Sequence, residues 1–478
     1  MNGTKYRILC ADIGTSSIKA AILDEEGAIT SWRHEPLIST RHENYLGWDA
    51  EIWDTAVARI VKSISKEQVI THIAVSGNGP SLVPIGKDGN QVAPILFWMD
   101  KKNDPIDNEP SFFLPKIAWL KNNKPKVYEE TKTFLACPEY VCYSLTGEKA
   151  TVLPTEDYRP FYWTKDGLEA YGIDERVLPP YISIGTPYGT LSADKAEEFG
   201  VSPGIPVYAC GPDFLMALLG TAAVRPGVVC DRAGSSEGIN YCSAEHIKAE
   251  GLRTLPHIIP GLWNVAAIEP NSGRLFEWFR AITGQENRSY EHMFREIMKI
   301  PPESEGPFFF PRFQPHGGWQ FAGGVLFGID VEHDAARLGK AVVESIGFSV
   351  RNGCDRLVQA GCSFNELRVS GGQARNNSWN QLKADLTGNI VHVPQVEDSE
   401  LLGCGCVVLT GQSYFSGLVE AAETMFQNKQ LFKPDINNSA VYDSMYKRYI
   451  ESYRIMIQAA GECSNIKKEE DDGNKNSV

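Results

Sequence analysis

The sequence predicts an α/β protein built as two related lobes that face each other across a cleft. Two stretches carry that reading. The first is Arg7-Ile8-Leu9-Cys10-Ala11-Asp12-Ile13-Gly14-Thr15-Ser16-Ser17-Ile18-Lys19-Ala20-Ala21-Ile22-Leu23-Asp24, two apolar runs around a tight polar turn. That is a strand–turn–strand pattern. The second, Val228 to Tyr241, repeats the plan with Gly234-Ser235-Ser236 as its turn. A supersecondary unit repeated about half a chain apart implies duplicated lobes. Strand and helix patterns alternate between the two hairpins, which means mixed sheets rather than an all-β fold.

Each turn suits an anion. Gly14 lets the backbone approach a ligand closely, while Thr15, Ser16 and Ser17 set hydroxyls beside free N–H groups. Asp12 ends the incoming strand, placed to hold a hydrated Mg²⁺ near phosphates. Lys19 adds a cation. An ordinary hairpin with a polar turn would explain the first stretch alone; the second copy favours phosphate binding.

The elements follow in order. Asp24 to Gly27 turns the chain into a third strand near Ile29 to Trp32. Asp49 is the expected cap of a helix with the stripe Trp53, Val57, Ile60, Val61 and Ile64. Ile73 to Val75 reads as a buried strand, and Lys87-Asp88-Gly89-Asn90 as a hairpin turn. Trp119 and Leu120 belong to a packed helix, and Tyr158-Arg159 to a surface loop. Ile205 to Cys210 is an apolar strand that runs into Asp213 and a helix-like run, Phe214 to Leu219. A carboxylate at a helix start is held ionised by the dipole and by backbone donors, and it can serve as a base or only as a cap. Beyond the second hairpin, Asn271-Ser272-Gly273 enters an amphipathic helix containing Glu277. Phe308 to Phe310 is a strand stopped by Pro311, and Ala335 to Leu357 a long helix. Leu367 to Ser370 is a strand, and Gly371-Gly372 lets the backbone after it lie flat on a base or ribose.

Several of these segments together resemble the FGGY family of carbohydrate kinases over nearly the whole chain. Asp12-Ile13-Gly14-Thr15-Ser16 is similar to the family's first phosphate motif. Gly211-Pro212-Asp213 through Gly220 resembles its G-x-x-D-x-x-x-x-x-G segment. Gly324 to Ile329, followed by Leu338 and Ala341 to Glu344, resembles the C-terminal signature, and Ser370 to Gln381 the adenosine loop. The resemblance implies the two-lobed actin-like ATPase and sugar-kinase fold, ribonuclease H-like in each lobe, with ATP and sugar in the interdomain cleft. It implies Asp213 as catalytic base, and Thr15, Ser16, Lys19, Gly234 and Ser235 on the phosphates. Gly273, Glu277, Gly371, Gly372 and Asn376 would meet the rest of the nucleotide, with Mg²⁺ near Asp12. Sugar contacts fall to Asn78, Gly79, Pro80, Trp98 and Asp100. Family members commonly read S-x-Q in place of Ser76-Gly77-Asn78, and since neither Gly79 nor Pro80 offers a side-chain donor, recognition is expected to differ from the common pattern. Xylulose kinases look nearest, which makes a ketopentose such as xylulose the expected substrate.

The expected division is 1–242 for the first lobe, 243–463 for the second and 464–478 for a disordered charged tail. A chain of 478 residues is long for one core. Its 42% hydrophobic and 22% charged residues are ordinary for a globular protein. A net charge of −14 argues against nucleic-acid and anionic-membrane partners. No leader or membrane-length apolar run is visible, so a cytoplasmic location is expected, with sugar or polyol and ATP as partners and a homodimer left open. Eleven Cys without a secretory signal favour free thiols; Cys404-Gly405-Cys406 lies in a small-residue run suited to close helix packing. Two rival classes remain: an actin- or chaperone-like ATPase, and a catalytically silent sugar-binding regulator.

Overall fold

The computed structural model describes residues 6–37, 48–100, 102–234, 236–269, 272–302, 306–311 and 324–475. The first predicted hairpin is β1 (Ile8–Ile13) with β2 (Ser17–Leu23), and β3 (Ile29–Pro36) extends it antiparallel. Helix α1 (Glu51–Ile64) buries the predicted stripe Trp53, Val57, Ile60, Val61 and Ile64. Its first turn is capped differently from expectation. Ala50 is the N-cap, and it is the carbonyl of Asp49 that accepts the Ile52 N–H. Strand β4 (His72–Gly77) runs parallel to β1, and β5 (Gly189–Thr190) and β6 (Pro206–Pro212) complete a six-stranded sheet ordered β3-β2-β1-β4-β6-β5. From β6 the chain passes straight into α2 (Asp213–Gly220).

The second sheet is built on the same plan. Strands β7 (Val229–Ala233) and β8 (Glu237–Ser243) form the second hairpin, flanked by β9 (Arg253–Pro256) and β10 (Trp263–Glu269). Helices α3 (Gly273–Ile282) and α4 (Ala335–Gln359) lead to β11 (Glu366–Ser370), then α5 (Asn377–Thr387) and β12 (Ile390–Pro394). Helix α6 (Ser399–Gly411), β13 (Asn428–Phe432) and α7 (Ile436–Lys475) end the chain. The seven strands are ordered β9-β10-β8-β7-β11-β12-β13, with β7 parallel to β11 as β1 is to β4.

The organisation differs from expectation at the second hairpin. The second hairpin belongs to the second sheet, so the lobe boundary lies between Gly220 and Val229 and not at 242/243. Strand β7 takes its place by pairing with β11 far down the chain, which no local pattern reveals. Helix α7 runs through Ser464 as far as Lys475. Beyond Ser464 its Lys and Glu residues are good helix formers, and they extend a helix already nucleated upstream.

The lobes meet where α2 crosses α6. A Cβ at Gly220 would lie 1.8 Å from the Ser399 carbonyl oxygen, and one at Gly403 would lie 2.1 Å from that of Met216. The two backbones therefore touch, and α6, although it follows a strand of the second sheet, buries Leu401, Leu402 and Val407 in the core that contains β1 and α2. The ten cysteines whose side chains are described are free and buried, Cys404 and Cys406 within α6 among them. No described helix is long and apolar enough to cross a membrane. Gly403→Ala should destabilise the protein by roughly 1–3 kcal/mol, the usual cost of overpacking where backbone must shift. Urea denaturation measures it, and an unchanged midpoint would mean that the helices do not meet backbone to backbone.

Candidate active site

A cleft of about 540 Å³ lies between the sheets, lined by both hairpin turns, the loop that follows β4, the start of α2 and Gly371-Gly372. The first turn is closed by the Gly14 N–H on the Ser17 carbonyl at 2.9 Å, which leaves Thr15 and Ser16 on the cleft wall. Asp12, only 6% exposed, accepts a 2.8 Å bond from the Ser76 hydroxyl. Burial, with Glu400 and Asp213 adding their charge, raises its carboxyl to about 7. A carboxyl pushed up in this way gains most from a nearby cation.

On the opposite wall, Gly234 donates its N–H to the Ser236 carbonyl at 2.9 Å and accepts the Gly273 N–H at 3.1 Å. Ser235 lies outside the described residues. Gly371 sits at φ 91°, and a Cβ there would be 2.3 Å from the Ala233 carbonyl oxygen. Only glycine fits this position, where the loop is pressed onto the second hairpin. Gly372, with open space around it, lines the cleft.

Asp213 joins the two halves. Its Oδ1 accepts the Phe214 N–H at 2.7 Å, and its Oδ2 accepts Nη2 of Arg232, from the second hairpin, at 2.7 Å. Arg232 also donates from Nε to Glu400 at 2.8 Å. Asp213 is not the helix cap, since Pro212 holds that position. Burial raises its pKa, while Arg232 opposes the shift. Lys19 reaches across the lobes as well, with its ammonium 2.8 Å from Asp398, which also takes Arg375 and, at 2.9 Å, the Trp32 indole N–H.

The region expected to meet the sugar divides. Asn78, Gly79, Pro80 and Trp98 line the cleft. Asn78 is buried and braced, donating to the Ile13 and Gly14 carbonyls at 3.2 Å and accepting from the Ser81 hydroxyl at 2.7 Å. Ser81 in turn accepts the Trp98 N–H at 3.1 Å, so one hydrogen-bond chain ties the phosphate turn to the indole loop. Asp100 does not line the cleft; its carboxylate folds back onto the Phe97 N–H at 3.1 Å. Asn376, Gly273 and Glu277 also fall outside the lining. Asn376 caps α5 by accepting the Trp379 N–H, and Glu277 pairs with Arg280 at the surface.

Sequence reasoning missed three groups. Tyr158, expected on a surface loop, is 1% exposed, lines the cleft and bonds the Pro256 carbonyl at 2.7 Å. Phe112, Phe113 and Tyr162 join it in an aromatic wall. The third is the pair Arg232 and Glu400. Asp231-Arg232 is a charged pair inside an otherwise apolar strand, a signal that could have been read, because charge buried in a strand needs partners.

This two-lobed α/β architecture, with paired phosphate-type hairpins around a polar cleft, is that of the actin-like ATPases and sugar kinases. The chain belongs to the FGGY family of carbohydrate kinases: residues 7–109 and 104–220 match its N-terminal domain and 232–407 its C-terminal domain. It is an ATP-dependent sugar kinase. Over 484 residues it is 26% identical to the xylulose kinase of Lactococcus lactis, covering 94% of this chain and 96% of that one. It is 23% identical to the autoinducer-2 kinase of Escherichia coli K12 over 516 residues, covering 95% of each. The fold superposes on the ligand-bound xylulose kinase of Lactobacillus acidophilus with a TM-score of 0.80, at 17% identity over 96% of this chain and 99% of that one.

If Trp98 stacks on the sugar, Trp98→Ala should raise the sugar KM about ten- to a hundred-fold, the worth of a lost contact of roughly 1–3 kcal/mol. The KM for ATP should change little. Steady-state kinetics on both substrates would reveal a merely structural Trp98 by equal rises in both constants.

Proposed function

We propose that the substrate is a ketopentose such as xylulose and that Asp213 is the base that accepts the proton of its attacking hydroxyl. One observation carries the base assignment. Asp213 faces the cleft between the two phosphate hairpins, with one lone-pair direction of each carboxylate oxygen beyond those its present partners use. The Trp98 loop and Asn78 side of the cleft would hold the sugar. The ketopentose reading is supported by the full-length likeness to the xylulose kinase of Lactococcus lactis.

The chain's own groups define the rest of the reaction. Thr15, Ser16 and the backbone N–H groups of the two turns would cradle the phosphates. Gly371-Gly372 would let the nucleotide lie against the second lobe. Asp12 fits a role in holding hydrated Mg²⁺, because its raised carboxyl stands in a cluster with Glu400, whose Oε2 is buried without a partner. When bound, Mg²⁺ would supply charge neutralisation on the phosphates. Asp213 needs little basicity, since proton transfer runs late in phosphoryl transfer and positioning dominates. Lobe closure about the α2–α6 crossing would exclude water, which otherwise competes with the sugar.

Asp213→Asn keeps the shape and removes the proton acceptor and its charge. Its kcat should fall about 10²–10⁴-fold, the contribution of a general base, while both substrates still bind. A kcat within about threefold of wild type, under 1 kcal/mol, would remove Asp213 from that role.

A further inference from the structure

Arg232 occupies a place that the described chemistry leaves without a task. It is the last but one residue of β7, directly before the second phosphate turn, and its side chain lines the cleft with 30% of its surface exposed. Its guanidinium bridges Asp213 of the first lobe and Glu400 of α6, at 2.7 and 2.8 Å. A guanidinium carries more N–H donors than these two bonds use, and among the described residues the remaining ones have no protein acceptor.

The surrounding charges say why a cation is needed there. Asp12 on β1, Asp213 on α2 and Glu400 on α6 place three carboxylates around one point, and a nucleotide adds more negative charge. Lys19 of β2 is already paired with Asp398. Arg232 is thus the cation in contact with the base, and it stands between that base and the phosphate turns. Its planar fork can hold a carboxylate and still present N–H groups to a phosphoryl oxygen, which the single ammonium of a lysine does less well.

We propose that Arg232 is a further catalytic residue: it fixes the Asp213 carboxylate and donates its remaining N–H groups to the transferring phosphoryl group. The proposal rests on the reading of Asp213 as the base. In the step, the sugar oxygen forms its bond to the γ-phosphorus and its proton passes to Asp213. The bond from that phosphorus to the bridging β-phosphate oxygen breaks, and ADP leaves with the electron pair. Arg232 gains and loses no proton; its charge meets the negative charge spread over the equatorial oxygens.

The test compares wild type, Arg232→Gln, Arg232→Lys and Asp213→Asn. Calorimetry gives the affinity for ADP alone, and for ADP with Mg²⁺, fluoroaluminate and the best sugar, a mimic of the phosphoryl in flight; kcat is measured alongside. In Arg232→Gln, kcat and the affinity of the fluoroaluminate complex should each fall about 10²–10³-fold, the usual loss on removing one such donor. ADP affinity should stay within about threefold, which also reports that the variant is folded. Arg232→Lys keeps the charge that Asp213 and Glu400 need for a stable fold, and should still lose at least about tenfold in the fluoroaluminate complex. Wild-type affinity for that complex in either variant overturns the proposal. An equal loss of ADP affinity overturns it too, since the arginine would then serve the fold or the nucleotide generally. Failure of the base assignment reads separately: Asp213→Asn keeps its kcat in that case, whatever the Arg232 variants do.

Discussion

The structure depends on the crossing of α2 with α6, where two helix backbones come into contact. Gly220 against Ser399 and Gly403 against Met216 leave no room for a side chain. That contact fixes several things at once. It sets the end of α2, at Gly220, against the start of α6, at Ser399, and the next residue, Glu400, reaches the Arg232 guanidinium that also holds Asp213. It also draws α6 out of the second lobe and into the core of the first, so the two sheets are joined by a packed element and not only by the chain between Gly220 and Val229.

Around that crossing the charges are arranged in two interlobe clusters. One is Asp213–Arg232–Glu400, with Asp12 close by; the other is Lys19, Trp32 and Arg375 gathered on Asp398. Buried charges without partners would cost several kcal/mol each. Each cluster therefore ties residues of the first sheet or its helices to residues that follow the second hairpin. In both, carboxylates meet cations inside a cleft that must also admit an anionic nucleotide. Asp12, raised to about 7 by burial and its acidic neighbours, stands to gain from a further positive charge.

The two hairpins were legible in the sequence because strand period and turn composition are local properties. The helix stripe at Trp53 to Ile64 and the strand–Gly-Gly–helix passage at Ser370 to Asn377 were legible for the same reason. What depends on distant pairing was not. The lobe boundary was misplaced because β7 owes its sheet to β11. The hydrogen bonds of Asp100 and Asn376 were not legible because composition does not say which way a polar side chain turns; one folds back on Phe97 and the other caps α5. Tyr158 read as surface because its burial comes from the approach of Pro256, far along the chain. Arg232 sat in plain sight in a strand, but its partners, Asp213 and Glu400, come from two separate parts of the sequence.

One cleft, lined by two hairpin turns, moves a phosphoryl group to a sugar hydroxyl and not to water. The direct measurement is ADP release from ATP in a coupled assay, run without sugar and then across a panel of ketoses, aldoses and polyols. Release should be negligible without sugar, with turnover on at least one sugar in step with formation of the sugar phosphate. Steady ATP hydrolysis that no sugar accelerates would contradict it.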